Sequence, residues 1–439
     1  MSPGTSKGKR SVVPVFLATA AVLLASCSSA SGASASPSGG SNSPSSFSGP
    51  VTAGVLHAFT GQNAFFGLNA QNACRAAAQQ INGVGGIMGH QLECTNFDTK
   101  GDPADAVPVA NRMLATTDHL VMIVGPDGND IPSVLPLFEA AKIPEMNTVG
   151  DPRYDNQTSP FFWRLMPSDS AQAPALAYYP VNKGLTKIAD VFTNDLSAQT
   201  TIDPFHAKLT SLGGTSTLSL TITPGQASYA TEVSKVLASN PQALVGELDA
   251  RTASTFLTEL QQQNGGKMIP FIVTQRATQP DWAPAVGPAI GVVSLTNSVT
   301  SVAPALELSG PGYDAFKTSM AAVGANQHQV GNPFVAATYD GVIIFALAMD
   351  MAKSLDPSTY VTQIPNVTSA KPGAVVVSTY ADAVAALKAG KTIQYIGAAG
   401  VTEFNKNNTA NRPYAAWSYD PSIKDWKLGD VFPLTASAP

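Results

Sequence analysis

Short apolar runs alternate with longer amphipathic ones through most of this chain, and the alternation runs through twice. That pattern constrains the fold more than any single motif, because buried parallel strands separated by helical crossovers read in this way. The first series has strand-like Val51–His57, helix-like Gly67–Ile81 and strand-like Leu92–Phe97. Asp102 then caps a helix through Leu114, with Pro103 in its first turn and Pro108 to be tolerated. Leu120–Val124, Ile131–Ala141 and Ile143–Met146 follow as strand, helix and strand. After Phe161–Met166 the series restarts, with strands at Lys187–Phe192, Thr217–Thr223, Ala243–Leu248 and Met268–Val273. Its helices are Ala171–Asn182, Thr201–Leu212, Ala227–Ala238 and Thr252–Gln263. The expected fold class is α/β, with two doubly wound units. The last third is less regular. Phe334–Met351 reads as a long apolar helix, Asp382–Lys388 as a shorter one, and Trp417–Tyr419 with Trp426–Leu428 as a closing hairpin. Asp340 and Asp350 inside Phe334–Met351 favour a buried helix of a folded domain over a membrane span.

The N-terminus reads as a targeting segment. Lys7, Lys9 and Arg10 precede an apolar run from Val12 to Leu24, short for a span but suited to a signal peptide. Leu24-Ala25-Ser26-Cys27 resembles a bacterial lipobox, which makes 1–26 a lipoprotein signal peptide and Cys27 the lipidated residue. An ordinary secretory signal with a chance cysteine is the other reading. Ser28–Gly49 is almost wholly Ser, Ala, Gly, Pro and Asn, too poor in apolar surface to fold, so 27–50 is expected to be a flexible tether. Export implies an oxidising compartment, so the remaining cysteines, Cys74 and Cys94, are expected to form a disulfide. Two separately buried thiols are the alternative.

Charge excludes one class of partner. The 439 residues carry a net charge of −5, or about −8 once the basic leader is removed. No basic tract remains to meet nucleic acid or anionic lipid. Catalysis has no support in the motifs: there is no Gly-x-Ser-x-Gly elbow, Walker loop or His-Glu-x-x-His. His57, His90, His119, His206 and His328 lack metal-ligand spacing, and no cofactor or metal is expected.

Several stretches, in order, resemble solute-binding proteins of the branched-chain amino acid importer type, which have the type I periplasmic-binding fold. They are VLHAFTGQNAFFG at 55–67, QNACRAAAQQINGVGGIMGHQ at 71–91, Asp98–Leu114, Val121–Gly125, FWRLMPS at 162–168, Thr338–Ala348 and Gly400–Tyr419. The resemblance implies lobe one at 51–166 plus 299–397 and lobe two at 167–298 plus 398–439, joined by a hinge of three crossings. It implies a monomer that traps a small-molecule solute between the lobes and hands it to the permease of an ABC importer. The lipid on Cys27 would hold it on the outer face of the bacterial membrane. A lipoprotein that presents its solute to a membrane receptor is the rival reading.

Ligand loops in such a fold lie at the carboxyl ends of strands. Those loops nominate Phe65 and Phe66 for an apolar wall, Asn129 and Asp130 after one strand, and Asn147, Thr148, Val149, Gly150 and Asp151 after the next. Lobe two contributes Asp195, Ser197, Glu247, Asp249, Gln275 and Arg276. By the resemblance, Asn129 or Asp130 stands where amino-acid binders use a serine and Asp151 where they use a threonine. Ser197 and Asp249 fall where tyrosines are common, and Gln275 near a position often held by an acid. A changed set of clamping groups points to a changed ligand: a small polar or zwitterionic molecule, cationic if Asp151, Glu247 and Asp249 face it unneutralised by Arg251 or Arg276.

Overall fold

The computed structural model describes residues 47–61, 64–306 and 309–432. The signal peptide, Cys27 and the tether through Ser46 lie outside the described residues.

The first series builds a five-stranded parallel sheet from β1 (Val51–His57), β2 (Leu92–Asp98), β3 (Leu120–Val124), β4 (Glu145–Asn147) and β5 (Phe162–Arg164). Its strand order is β2-β1-β3-β4-β5. The strands are almost wholly buried where the sequence is apolar without a break, as in β3. Helices 64–83, 103–116 and 131–141 are the crossovers. Asp102 caps the second of these, its side chain accepting the Ala104 N–H at 2.9 Å, and Pro108 is accommodated inside it.

The second series builds a sheet from β6 (Lys187–Thr193), β7 (Thr215–Ile222), β8 (Ala243–Glu247), β9 (Phe271–Thr274) and β10 (Val299–Pro304). Strands β11 (Val375–Val377), β12 (Ile393–Gly397) and β13 (Gly400–Val401) make a separate three-stranded sheet, and β14 (Glu403–Phe404) pairs with β15 (Ala410–Asn411). The closing hairpin, β16 (Tyr414–Asp420) and β17 (Asp425–Val431), joins the second sheet in the order β17-β16-β10-β9-β8-β6-β7.

Two boundaries differ from the sequence reading. Val299–Pro304, assigned there to lobe one, lies in the second sheet, because its backbone groups pair in parallel with β9 and antiparallel with β16. Residues 398–412, assigned to lobe two, pack on the first. The Arg164 N–H donates to the Asn408 carbonyl at 2.9 Å, Trp163 meets Phe404 edge-on, and Arg412 donates to the carbonyls of Ala399 and Leu165. The chain therefore crosses between sheets near Leu165–Ser168, after Pro304 and at Arg412–Pro413.

Helix 333–352 is buried along nearly its whole length, and its acids are hydrogen-bonded within the fold. Asp340 accepts the N–H groups of Ala398 and Ala399 and the Tyr395 hydroxyl; burial still pushes its carboxyl up to about 6. Asp350 accepts the Tyr380 hydroxyl and the Met88 N–H. Cys74 and Cys94 are joined, as expected, with their Cα atoms 6.2 Å apart. The bond ties the first helix to β2 across 20 residues. Closing a loop of that size removes chain entropy from the unfolded state worth about 3 kcal/mol. Replacing both cysteines by serine should lower the unfolding free energy by that order in urea titrations, without altering the far-ultraviolet circular dichroism.

Candidate functional site

A cleft of about 270 Å³ opens between the two sheets and takes its lining from both. From the first lobe come His57, at the end of β1, Gly101 after β2, Pro126–Asn129 after β3 and Thr148–Asp151 after β4, with Phe66 and Phe334 beside them. From the second come Asp169, Thr200, Glu247 at the end of β8, and Gln275, Arg276 and Gln279 after β9. Parallel strands all present the same end, so the loops that follow them gather on one side of each sheet.

Of the residues nominated from sequence, Phe66, Asn129, Thr148, Val149, Gly150, Asp151, Glu247, Gln275 and Arg276 line this cleft. Phe65, Asp130, Asn147, Asp195 and Asp249 do not, and all but Asp130 have a structural task. Phe65 stacks on Phe66, ring centroids 4.1 Å apart, and so backs the wall that Phe66 faces. Asp130 is fully buried at the start of helix 131–141; burial pushes its carboxyl up to about 6, the Thr99 hydroxyl opposing the shift. Asn147 donates its amide to both oxygens of the buried Glu145 at 3.0 Å and accepts the Val149 N–H, which shapes the loop after β4. Asp195 accepts the Ala198 N–H and the Thr193 hydroxyl at the start of helix 196–211. Asp249 accepts the N–H groups of Arg251 and Thr252 at the start of helix 250–263. Unpaired N–H groups at a helix start attract carboxylates, and that need competes with ligand binding for the same residue type. Ser197 falls in helix 196–211, and its side chain lies outside the described residues.

Two of the lining charges are neutralised locally. Asp151 caps the turn at 152–154 and pairs with Arg153, whose Nε and Nη2 donate at 2.8 and 2.6 Å. Arg276 forms a two-pronged pair with Asp281 at 2.8 and 2.7 Å. Neither pairing was read from the sequence, which weighed Arg251 and Arg276 as the neutralising groups.

Asp169 was missed. It is the first residue of helix 169–182, which the sequence reading started at Ala171, and looks there like one more N-terminal acid. In three dimensions it lies at the cleft floor where the lobes meet. Its N–H donates to the Gly150 carbonyl at 2.7 Å, and a side chain on Gly150 would fall 2.1 Å from its Oδ1. The carboxyl is buried and Oδ1 has no hydrogen-bond partner among the described residues. Burial, then repulsion from Glu247, pushes the carboxyl up to about 7; Arg164 opposes the shift. A network beneath it crosses the hinge: Arg164 donates to the Asp151 carbonyl and to Asp155, and Asp155 also accepts from the Ser170 hydroxyl.

His57, Asp127 and Phe334 were also unassigned. His57 ends a strand, Asp127 lies in a loop whose nominated residues were Asn129 and Asp130, and Phe334 was read as part of a core helix. The cleft thus joins an apolar wall (Phe66, Phe334, Val149, Pro126) to an acidic end formed by the buried Asp169 and the half-buried Glu247. Among the described residues no cluster of His, Cys, Asp and Glu is arranged to hold a metal ion.

The family model described as "Periplasmic binding protein" matches residues 50–417. An amino acid binding protein of Pseudomonas aeruginosa is 29% identical over 197 residues, 44% of this chain and 52% of that protein. The Leu/Ile/Val-binding protein BraC3 of Rhizobium johnstonii is 27% identical over 42% of this chain and 51% of its own length. The chain thus aligns with about half the length of these curated relatives. Among solved structures, the leucine binding protein LivK of Thermotoga maritima superposes with a TM-score of 0.69 at 18% identity, covering 87% of this chain and 98% of that one. A solute binding protein of an R. palustris ABC transporter in complex with 4-hydroxybenzoate gives 0.69 at 16% identity, covering 87% and 97%.

The environment of Asp169 makes a pH prediction. Its carboxyl titrates near 3.8 when unfolded and near 7 when folded, so between those values the folded chain holds the extra proton. Stability from this group is therefore full below about pH 4 and lost as pH rises through 7. Asp169→Asn should remove that penalty, raising the unfolding free energy at pH 8 by up to roughly 4 kcal/mol relative to wild type. At pH 4 the two proteins should unfold alike in parallel denaturant titrations.

Proposed function

The chain belongs to the periplasmic binding protein family, and from that premise we propose that it captures a small amine-bearing solute in the cleft between its lobes. The observation that carries this reading is the pairing of an unsatisfied buried carboxyl oxygen on Asp169 with Glu247, on a cleft whose other wall is apolar. Burial disfavours the ionised form of the Asp169 carboxyl, a cost that a cation in the cleft offsets. A protonated amine also relieves the repulsion between the two carboxyls and returns Asp169 to its charged form. Phe66, Phe334, Val149 and Pro126 then cover the apolar body of the solute. An amino-acid-like ligand is consistent with relatives named for leucine, isoleucine and valine. The acidic cleft argues against a simple aromatic carboxylate, although a structural neighbour holds 4-hydroxybenzoate.

The action is mechanical, not catalytic. A solute that touches both lobes binds the closed arrangement better than the open one and shifts the population by that difference in affinity. The three crossings serve as the hinge. The closed form is then read by the permease of an ABC importer. We place the protein, as a monomer, on the outer face of the membrane, held by lipid on Cys27 through the Ser-rich tether.

Isothermal titration against α-amino acids, alkylamines, amino alcohols, polyamines, benzoate and 4-hydroxybenzoate tests the ligand class. Amines should bind, and Asp169→Asn or Glu247→Gln should weaken them by roughly thirty-fold or more, since each strands a buried charged partner. Tighter binding of benzoate or 4-hydroxybenzoate than of every amine would refute the reading. Gly150→Ala places a methyl group against the Asp169 carboxyl and should abolish binding of the same amines, while the far-ultraviolet circular dichroism stays that of wild type.

A further inference from the structure

The cleft holds a second polar unit at a separate place. His57 Nδ1 lies 2.8 Å from Asp127 Oδ1, and both side chains are largely buried. The other carboxylate oxygen of Asp127 accepts the Ala58 N–H at 3.0 Å. Both oxygens of Asp127 are thus acceptors already in use, and an acceptor at Nδ1 requires that nitrogen to carry its proton. The neutral ring then bears its lone pair on Nε2. Gly125 packs against that edge of the ring: it has φ +107°, and a side chain there would fall 2.8 Å from Nε2. No described residue donates a hydrogen bond to Nε2, while His57 lines the cleft. His57 ends β1 of the first sheet, whereas Asp169 starts the helix that leads into the second, so the two units reach the cleft from different lobes.

We propose that His57, held by Asp127, is a specificity-determining residue of the cleft, its Nε2 accepting a hydrogen bond from a hydroxyl or amide donor at the end of the solute away from its amine. This rests on the amine reading of the site and narrows it to solutes that donate at both ends. Asp127 is a positioning residue: it fixes the tautomer and the ring and makes no contact of its own with the solute. The arrangement discriminates strongly, because a solute without the distal donor would bury Nε2 unpaired.

The test uses the full chain and a homologous series of amino alcohols, each matched to the alkylamine lacking the hydroxyl. Wild type should bind the best amino alcohol at least tenfold more tightly than its matched alkylamine. His57→Phe should bring that ratio close to one. Equal affinities in wild type, or an unchanged ratio in His57→Phe, would overturn the proposal. A second measurement needs neither ligand nor variant: long-range ¹H–¹⁵N spectra of the wild-type protein should show the neutral His57 ring protonated at Nδ1. A ring protonated at Nε2 instead would overturn it. Failure of every amine to bind would sink the functional reading of the acidic end, and the tautomer would then decide the His57 assignment alone.

Discussion

Parallel strands point one way, and that constraint organises the rest of this molecule. The first sheet is wholly parallel and the second is parallel from β7 to β10, so three short crossings can bring the carboxyl ends of those strands together over one cleft. The crossings are drawn close by buried arginines: Arg164 reaches Thr409 Oγ1 at 3.1 Å, and Arg412 reaches the Leu165 carbonyl at 3.2 Å. Gly150 and Asp169 touch at the point where the lobes converge, with no room for a side chain between them. The cleft exists because the strand ends meet there, and its chemistry follows from whichever side chains the neighbouring turns leave uncommitted.

That last condition explains what the sequence made legible. Strands such as Leu120–Val124 are buried on both faces, so composition alone announces them, and the alternation with helices gives the fold class directly. Alternation does not say which sheet a strand joins. Val299–Pro304 follows the second series yet was placed with the first, and only its pairing with β9 and β16 decides the matter. The site was half legible for a related reason. Position after a strand marks a loop as cleft-facing, which located the turns at Asn129, Thr148–Asp151, Glu247 and Gln275–Arg276. Within those turns, an acid that caps a helix and an acid that faces a solute look the same. Asp195 and Asp249 are of the first kind, Asp130 is buried without a side-chain cap bond, and Asp169 lines the cleft; the difference lies in packing contributed by distant residues such as Gly150.

Electrostatic pairing then reduces a crowded set of charges to a simple one. Asp151 is held by Arg153, Arg276 by Asp281, and Asp127 by His57 and the Ala58 N–H. Beside these pairs the cleft has the Asp169 carboxyl, displaced toward neutrality by burial, an apolar middle and a histidine edge. In the proposed reading, these parts meet the amine, the apolar body and the distal donor of one guest.

The central claim is that the two lobes share that guest and close upon it. Small-angle X-ray scattering of the full chain, with and without the amine that binds most tightly, tests this most directly. A smaller radius of gyration at saturation is the result expected of a hinged pair of lobes. An identical scattering profile with the ligand bound would contradict the account, because the solute would then favour neither arrangement of the lobes.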